Sequence, residues 1–154
     1  MTTNNNHYKE YTVKVYSNKD KEWFLNGKCH REDGPAIEYA NGTKYWYLNG
    51  KCHREDGPAI ERADGTKRWY LNDNRHRENG PAIEHADGTK RWYLNGKCHR
   101  EDGPAIEHAD GTKQWYLNNK EYTEAEWKKI QNKVSCNGRI VEIDGKKYKL
   151  VETN

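Results

Sequence analysis

Histidine and cysteine are the residues of this chain best suited to chemistry, and they recur side by side. The pairs are Cys29-His30, Cys52-His53 and Cys98-His99, and Arg75-His76 stands in the equivalent place of one further copy. Such residues bind zinc or supply a nucleophile and its base. Neighbours on a strand point to opposite faces, however, whereas zinc needs four convergent ligands. Since a catalytic residue is normally unique and these recur, the pattern predicts no metal, no cofactor and no enzymatic activity.

The spacing of the cysteines also bears on disulfide formation. Cys29, Cys52 and Cys98 occupy one repeat position, and Cys136 lies outside the repeats. If each unit contributes two strands, neighbouring copies lie about 10 Å apart. Because a disulfide requires Cα atoms within about 7 Å, we expect free thiols.

The elements that position these residues repeat with a fixed period of 23 residues, marked by Trp23, Trp46, Trp69, Trp92 and Trp115. A fixed period of this length indicates a repeat array. Four full units cover 23–45, 46–68, 69–91 and 92–114, after an N-terminal hairpin that begins at Tyr8. A mean hydropathy of −1.38 favours disorder. The aromatic residues and turns recur in register, however, which favours stacked repeats with a thin core.

Each unit carries two hairpin signals of the Asn-Gly or Asp-Gly kind, which favour type I′ turns. The first set is Asn41-Gly42, Asp64-Gly65, Asp87-Gly88 and Asp110-Gly111. The second is Asn26-Gly27, Asn49-Gly50 and Asn95-Gly96, with Asp73-Asn74 and Asn118-Asn119 as degraded forms. A two-residue turn at Asp64-Gly65 places Ile60 opposite Trp69, Glu61 opposite Arg68 and Arg62 opposite Lys67. The turn at Asn49-Gly50 places Tyr47 opposite Cys52.

These elements divide the chain into three segments. Residues 1–7 are predicted as a disordered tail, 8–119 as a β-hairpin repeat array with an N-terminal capping hairpin, and 120–154 as a C-terminal cap. A capping box at Thr123–Glu126 begins a helix over about 123–134, with Trp127, Ile130 and Val134 along one stripe. A hairpin over 139–152 follows. The predicted fold class is all-β, a single curved antiparallel β-meander of tandem 23-residue hairpin repeats with a C-terminal helix plus β-hairpin cap.

The repeat resembles the MORN (membrane occupation and recognition nexus) family over roughly residues 12–118. The likeness lies in the period, in Asn49-Gly50-Lys51-Cys52-His53, and in an aromatic strand near an Asp-Gly turn, as at Tyr39-Ala40-Asn41-Gly42. Where the family has Gly after His, this chain has Arg in every unit. That looks like a variant repeat of phage, large-virus and bacterial proteins, some of them antitoxin-like. The resemblance implies β-hairpin repeats that bind proteins or lipids without catalysis.

The positions where the repeat varies are the candidate binding residues. One variable repeat position is occupied by Tyr39, Arg62, His85 and His108. These residues are predicted to face Lys44, Lys67, Lys90 and Lys113 across the hairpin. They form either a cationic rim for an anionic partner or a solvated rim neutralised by nearby aspartates. Arg68 and Arg91, among stacked tyrosines, suit single-stranded nucleic acid, although Glu61 and Glu84 are expected to neutralise them. The predicted binding residues are Arg62, Lys67, Arg68, His85, Lys90, Arg91, His108 and Lys113.

Charge and hydropathy narrow the classes of function. From Trp23 to Asn119 the chain carries 15 basic and 15 acidic residues, whereas a nucleic-acid binder is usually clearly basic. The absence of a signal peptide and of a membrane-length apolar run predicts a cytoplasmic protein without membrane insertion.

The sequence favours a non-enzymatic protein-binding scaffold. Given the resemblance, this would be a phage or mobile-element inhibitor in a bacterial host cell, occluding a host defence or toxin complex. A single-stranded nucleic-acid-binding protein that uses the aromatic and basic face is the alternative. Homodimerisation through the terminal edge strands stays open.

Overall fold

The computed structural model describes residues 9–136, 140–143 and 145–149. Within these residues the chain forms twenty β-strands and one α-helix, α1 (Glu124–Cys136). Most strands are two residues long, because each unit turns or bends after every few residues. In chain order the strands are β1 (Tyr11–Val15), β2 (Lys21–Leu25), β3 (Lys28–Cys29), β4 (Ile37–Glu38), β5 (Lys44–Tyr45), β6 (Tyr47–Leu48), β7 (Lys51–Cys52), β8 (Ile60–Glu61), β9 (Lys67–Arg68), β10 (Tyr70–Leu71), β11 (Asn74–Arg75), β12 (Ile83–Glu84), β13 (Lys90–Arg91), β14 (Tyr93–Leu94), β15 (Lys97–Cys98), β16 (Ile106–Glu107), β17 (Lys113–Leu117), β18 (Lys120–Tyr122), β19 (Ile140–Ile143) and β20 (Lys146–Lys149).

The hairpins that turn at Asp-Gly, or at Asn-Gly in the first unit, build one long antiparallel sheet. Its strand order is β1-β2-β4-β5-β8-β9-β12-β13-β16-β17-β18, and β3 also pairs with β2. The order follows the chain, apart from the hairpins that leave the sheet between its strands. This arrangement confirms the all-β fold class, an antiparallel meander of tandem hairpins that is followed by a helix.

In the three full units that begin at Trp46, Trp69 and Trp92, the second hairpin leaves the long sheet after the tryptophan. β6 pairs with β7, β10 with β11 and β14 with β15. Asn49 and Gly50 have φ of 53° and 81°, as a type I′ turn requires. The predicted pairing of Tyr47 with Cys52 is confirmed. These hairpins form a second row, because backbone bonds such as Gly50 N–H to Cys29 O (2.8 Å) join each one to the hairpin of the preceding unit.

One turn of this second row lies a residue earlier than predicted. Leu71 pairs with Asn74, so the turn residues are Asn72 and Asp73, both with positive φ. The prediction of Asp73-Asn74 is therefore wrong. Asp73 takes the place that glycine holds in other units, and its Oδ1 accepts the Cys52 backbone N–H at 2.8 Å. The side chain thus joins two consecutive units.

The Asp-Gly turns of the long sheet have a different geometry from the predicted one. The Arg62 N–H donates to Thr66 O at 2.9 Å, and the Gly65 N–H donates to Arg62 O at 3.0 Å. Gly65 has a φ of 91°, whereas Asp64 is not in the left-handed region. This is a three-residue loop with a glycine bulge rather than a two-residue type I′ turn.

The extra loop residue shifts the strand register by one. Ile60 pairs with Arg68 and Glu61 with Lys67. The predicted pairs of Ile60 with Trp69, Glu61 with Arg68, and Arg62 with Lys67 are therefore wrong. Because strand neighbours point to opposite faces, Lys67 shares a face with Glu61, and Arg68 shares the other face with Ile60.

Acid is expected to destabilise the protein through these turns. The Thr66 backbone N–H donates to Asp64 Oδ1 at 2.8 Å and holds the pKa of Asp64 below its usual range, and Thr89 acts likewise on Asp87. Because the folded pKa is lower than the unfolded one, this stabilisation is complete above about pH 4 and is lost as pH falls through the folded pKa. We expect the free energy of unfolding in urea to fall between about pH 4 and pH 2.

The first unit supplies the control for this prediction. There Asn41 Oδ1 accepts the Thr43 N–H at 2.9 Å, so asparagine forms the same turn without titrating in acid. The triple variant Asp64→Asn, Asp87→Asn, Asp110→Asn should keep its neutral stability and lose stability less steeply below about pH 4. If the free energy of unfolding of the variant falls as steeply below about pH 4 as that of the original protein, other carboxylates cause the loss of stability.

The core is thin and recurs in each unit. Ala59 is fully buried, and Tyr45, Trp46 and Tyr47 pack around it, only half-buried themselves. Among the residues that the structure describes, the buried apolar ones are Ala36, Cys52, Ala59, Ile60, Ala82, Ile83, Cys98, Ala105 and Ile106. Buried threonines connect the units, since Thr43 Oγ1 accepts the Ala63 N–H of the next unit at 3.1 Å. Each unit is thus stabilised by its neighbours.

The C-terminal cap begins as predicted. The Thr123 N–H donates to Glu126 Oε2 at 2.9 Å, and the Glu126 N–H donates to Thr123 Oγ1 at 3.2 Å, which confirms the capping box. Helix α1 extends two residues beyond the predicted end and packs against β17 and β18, with Trp127 and Ile130 half-buried.

The described residues include only part of the segments for which the cap and the tail were predicted. β19 pairs antiparallel with β20, which confirms the final hairpin. The predicted tail at 1–7, the side chain of Val134, the turn residue Asp144 and residues 150–152 lie outside the described residues. In the part of the chain that the structure describes, no helix is long and apolar enough to cross a membrane.

Candidate binding faces

One arginine in each unit holds the bend between the two rows of hairpins. The Arg54 guanidinium lies 4.1 Å from the ring centroid of Trp46. Its Nη1 donates to Pro58 O at 3.2 Å and to Glu61 Oε1 at 3.1 Å, and its Nε donates to Asp56 Oδ1 at 2.9 Å. We call this set of contacts the arginine clamp. Arg31, Arg77 and Arg100 repeat the clamp over Trp23, Trp69 and Trp92.

The recurrent histidines join consecutive units rather than form a reactive site. His53 Nδ1 accepts the Asn72 backbone N–H at 3.2 Å, and its Nε2 lies 3.6 Å from Glu55 Oε1. The equivalent Nδ1 bonds are His30 to Asn49 (3.0 Å), His76 to Asn95 (3.1 Å) and His99 to Asn118 (3.1 Å). The shorter of the two contacts is thus to the hairpin turn of the next unit, and the longer one is to the Glu-Asp-Gly-Pro turn of the same unit.

Three of the predicted binding lysines lie in a ladder of alternating charges. Across the long sheet the paired positions read Lys21, Glu38, Lys44, Glu61, Lys67, Glu84, Lys90, Glu107 and Lys113. Each of Lys67 and Lys90 therefore has a glutamate on both neighbouring strands. Opposite charges in such cross-strand pairs stabilise a sheet. This lysine and glutamate ladder therefore alternates in charge, with five lysines and four glutamates.

The other predicted residues lie on the opposite face. Its paired positions read Glu22, Ile37, Tyr45, Ile60, Arg68, Ile83, Arg91, Ile106 and Gln114. Arg62, His85 and His108 stand two residues after the isoleucines and so share this face. We call Arg62, Arg68, His85, Arg91 and His108 the cationic face. The structure thus brings five of the eight predicted residues together and separates them from the three lysines.

His85 lies in the middle of this face, and its pKa depends on burial and on its cationic neighbours. Burial lowers the pKa of His85, and the nearby charges of Arg91, Arg68 and Arg62 lower it further. Asp87 acts in the opposite direction but does not outweigh them. After burial, the three guanidinium groups thus add a positive potential at this histidine.

The arginines of this face form no ion pair within the described residues, although the charges of Arg62 and Arg68 act on nearby Asp64. Glu61 and Glu84, which were expected to neutralise Arg68 and Arg91, instead accept hydrogen bonds from the clamp residues Arg54 and Arg77. The expectation is wrong because of the one-residue register shift. The Nε atoms of Arg68 and Arg91 are buried without a hydrogen-bond partner.

Aromatic residues border the cationic face on the second row of hairpins. Arg75 Nε lies 3.4 Å from the Tyr70 hydroxyl oxygen, to which it donates. The same guanidinium lies 5.2 Å from the ring centroid of Tyr93, within the range of a cation–π contact. Arg75 was not predicted as a binding residue, although its replacement of cysteine at the repeat position was visible in the sequence.

The cysteines at this repeat position are unreactive. Cys29, Cys52 and Cys98 are free thiols. Burial raises the pKa of Cys52 to about 12 and that of Cys98 to about 11. Because the thiolate is the nucleophile, such thiols react slowly at neutral pH. Among the described residues no group of three His, Cys, Asp or Glu side chains is arranged to hold a metal ion.

No protein family model matches the chain, and no curated protein matches it in sequence. The repeating hairpins are compatible with the MORN-like resemblance, which stays a prediction.

Proposed function

We propose that this protein is a non-enzymatic scaffold that binds an acidic surface of a partner protein through its cationic face. One observation carries the proposal. Arg62, Arg68 and Arg91 lie on one face without an acidic partner among the described residues, whereas every clamp arginine has one. Buried charges normally pair, and Arg68 and Arg91 are half-buried with their Nε atoms unpartnered, so these two guanidinium groups favour an external anion.

The chemistry of the repeat positions supports a binding role rather than catalysis. The buried thiols have raised pKa values, and the recurrent histidines use Nδ1 to accept backbone N–H groups. Neither residue type is then free to act as a nucleophile or a base.

The inhibitor role that the MORN-like resemblance implies uses the same surface. In a bacterial cytoplasm, a phage- or mobile-element-encoded scaffold of this kind would cover an acidic surface of a defence or toxin complex. A homodimer through the edge strand β1 is a further proposal, supported by the exposed Val13 and Val15 on that strand.

Single-stranded nucleic acid is the second candidate for the same face. The specific observation in its favour is Arg75, which lies between Tyr70 and Tyr93 and lines the face with aromatic rings. Aromatic and guanidinium surfaces stack on bases without regard to sequence. Glu61 and Glu84, which were expected to neutralise the arginines and so to disfavour nucleic-acid binding, lie on the opposite face.

Neutralising the cationic face should weaken partner binding. The variant Arg68→Gln, Arg91→Gln removes two half-buried charges, and glutamine is compatible with the site because Gln114 occupies the same repeat position. At about 1 kcal/mol per lost charged contact, we expect binding to weaken about 30-fold. The measurement is capture by the tagged protein with mass spectrometry, followed by titration of the captured partner.

The matched control changes the neighbouring residue on each strand. Lys67→Gln, Lys90→Gln removes the same charge from the same two strands but on the opposite face, and should leave affinity within about twofold. Equal loss in both variants would contradict a face-specific site. Binding of an oligothymidylate that weakens linearly in log salt, lost only in the arginine variant, would favour nucleic acid instead.

A further inference from the structure

The clamp side of the array carries a row of connected grooves. One groove of about 430 Å³ is lined by Arg54, Glu55 and Asp56 of one unit and by Trp69, Leu71 and His76 of the next. Grooves of about 770 Å³ and 570 Å³ repeat this lining one unit before and one unit after it. Adjacent grooves share clamp arginines and their following carboxylates, so the row is continuous.

This row lies on the face opposite to the cationic face. Trp69 follows Arg68 and so points to the side of Lys67. The clamp confirms the assignment, because Arg54 contacts both Trp46 and Glu61, a member of the lysine and glutamate ladder. The tryptophans are half-buried, which leaves part of each indole exposed along the row.

One side of the row is strongly acidic. The side chains of Glu55, Glu78 and Glu101 are 86%, 77% and 81% exposed. With the aspartates that follow, which pair with clamp arginines, and with Glu32, which pairs with Lys9, they form what we call the acidic ridge, namely Glu32, Asp33, Glu55, Asp56, Glu78, Glu101 and Asp102. The ridge borders indole surface at every unit, a combination that suits basic side chains carried on an apolar backbone.

The distance between consecutive units favours one backbone conformation for a peptide that lies along the row of grooves. Two strands per unit give a rise of about 9.6 Å. A polyproline II helix advances about 9.3 Å in three residues and then presents the same face again. A β-strand presents the same face about every 6.6 Å, and an α-helix about every 10.5 Å over seven residues, so both drift out of step along successive units.

We propose that these grooves bind an extended polyproline II segment of a partner protein, with a basic side chain at every third residue against the acidic ridge. This site goes beyond the proposed function, since it lies on the other face and takes a partner of opposite charge. Prolines pack on the tryptophans, as in other aromatic-lined grooves that recognise this conformation.

The test uses a synthetic peptide of four Arg-Pro-Pro triplets, titrated against the whole protein at low salt. Tryptophan fluorescence reports directly, because indoles line the grooves, and calorimetry gives the stoichiometry. We expect one peptide per chain, bound about tenfold more tightly than a peptide of the same composition with its arginines grouped at one end. Equal affinity for the two peptides, or no binding of either, would overturn the proposal.

Variants of the protein locate the site. Glu55→Gln, Glu78→Gln, Glu101→Gln removes three exposed ion pairs and should weaken the peptide about tenfold. Glu10→Gln, Glu121→Gln, Glu124→Gln makes the same charge change away from the ridge and should leave affinity unchanged. Circular dichroism checks that both variants fold. Equal affinities of the two variants would place the peptide elsewhere.

Two further outcomes decide between occupants. Tighter binding of a helical peptide with arginine at every seventh residue would overturn the polyproline assignment. Concentration-dependent self-association in ultracentrifugation, abolished by the ridge variant, would make the cationic face of a second copy the occupant instead. The Arg68→Gln, Arg91→Gln variant should bind the triplet peptide normally, so failure at this site is distinguishable from failure of the proposed function.

Discussion

Replacing Arg54 by alanine is expected to lower the free energy of unfolding by about 3 kcal/mol. The guanidinium contact with Trp46 at 4.1 Å contributes about 1 kcal/mol. The remainder comes from the lost hydrogen bonds to Pro58 O and Glu61 Oε1, which leave a carbonyl and a half-buried carboxylate unpaired. The Asp56 contact adds little, because that carboxylate is exposed. Urea unfolding followed by far-ultraviolet circular dichroism measures the loss.

Two variants separate charge from geometry in the clamp. Arg54→Lys keeps the charge but lacks the planar guanidinium group with its several N–H donors. It should therefore recover less than half of the free energy of unfolding that Arg54→Ala loses. Arg77 lacks the aspartate partner, since Asn79 stands in that place, yet it keeps the other contacts. Arg77→Ala should therefore cost nearly as much as Arg54→Ala. A loss below about 0.5 kcal/mol in both would mean that the clamp is a surface feature only.

The sequence predicted the features of the fold that depend on local chemistry. The tryptophan period, the type I′ turn at Asn49-Gly50 and the capping box of α1 each follow from a few neighbouring residues. The Asp64-Gly65 register does not, because Asp-Gly suits both a two-residue turn and a three-residue loop with a glycine bulge. Hydrogen bonds to Thr66 select the longer loop, and this depends on the stacking of units.

The one-residue difference decides the composition of the candidate site. Shifting a strand by one position transfers each side chain to the other face. The predicted rim of Arg62 with Lys67 therefore divides into the cationic face and the lysine and glutamate ladder, and Glu61 lies on the face opposite to Arg68. The residue types were identified correctly from the sequence, whereas their grouping required the register.

The clamp also explains how this repeat departs from the family it resembles. Arg54 follows His53 where that family has glycine, and a glycine stands three residues later at Gly57. A Cβ atom built on Gly57 would lie 2.9 Å from Cζ of Arg54. The large residue and the small residue thus fit one another, a signal that the recurring Arg-x-x-Gly-Pro spacing carries in the sequence.

Gly57→Ala is accordingly expected to destabilise the protein by about 2 kcal/mol, and to do so only while Arg54 is present. The backbone at Gly57 lies outside the left-handed region, so alanine meets no conformational penalty there. The added methyl group displaces the guanidinium from Trp46 and breaks its hydrogen bonds. In an Arg54→Ala background the same substitution should cost less than about 0.5 kcal/mol, because no guanidinium remains to be displaced.

Gly65→Ala is the matched control for this double-mutant cycle. Gly65 has a φ of 91° and open space around its Cα, so alanine there is strained whether or not the clamp is intact. Its cost of about 1 kcal/mol should add to that of Arg54→Ala without coupling. Urea unfolding of the single and double variants gives both coupling energies. If Gly57→Ala also proves additive with Arg54→Ala, the glycine serves the bend of the backbone itself, and the clamp does not account for its recurrence.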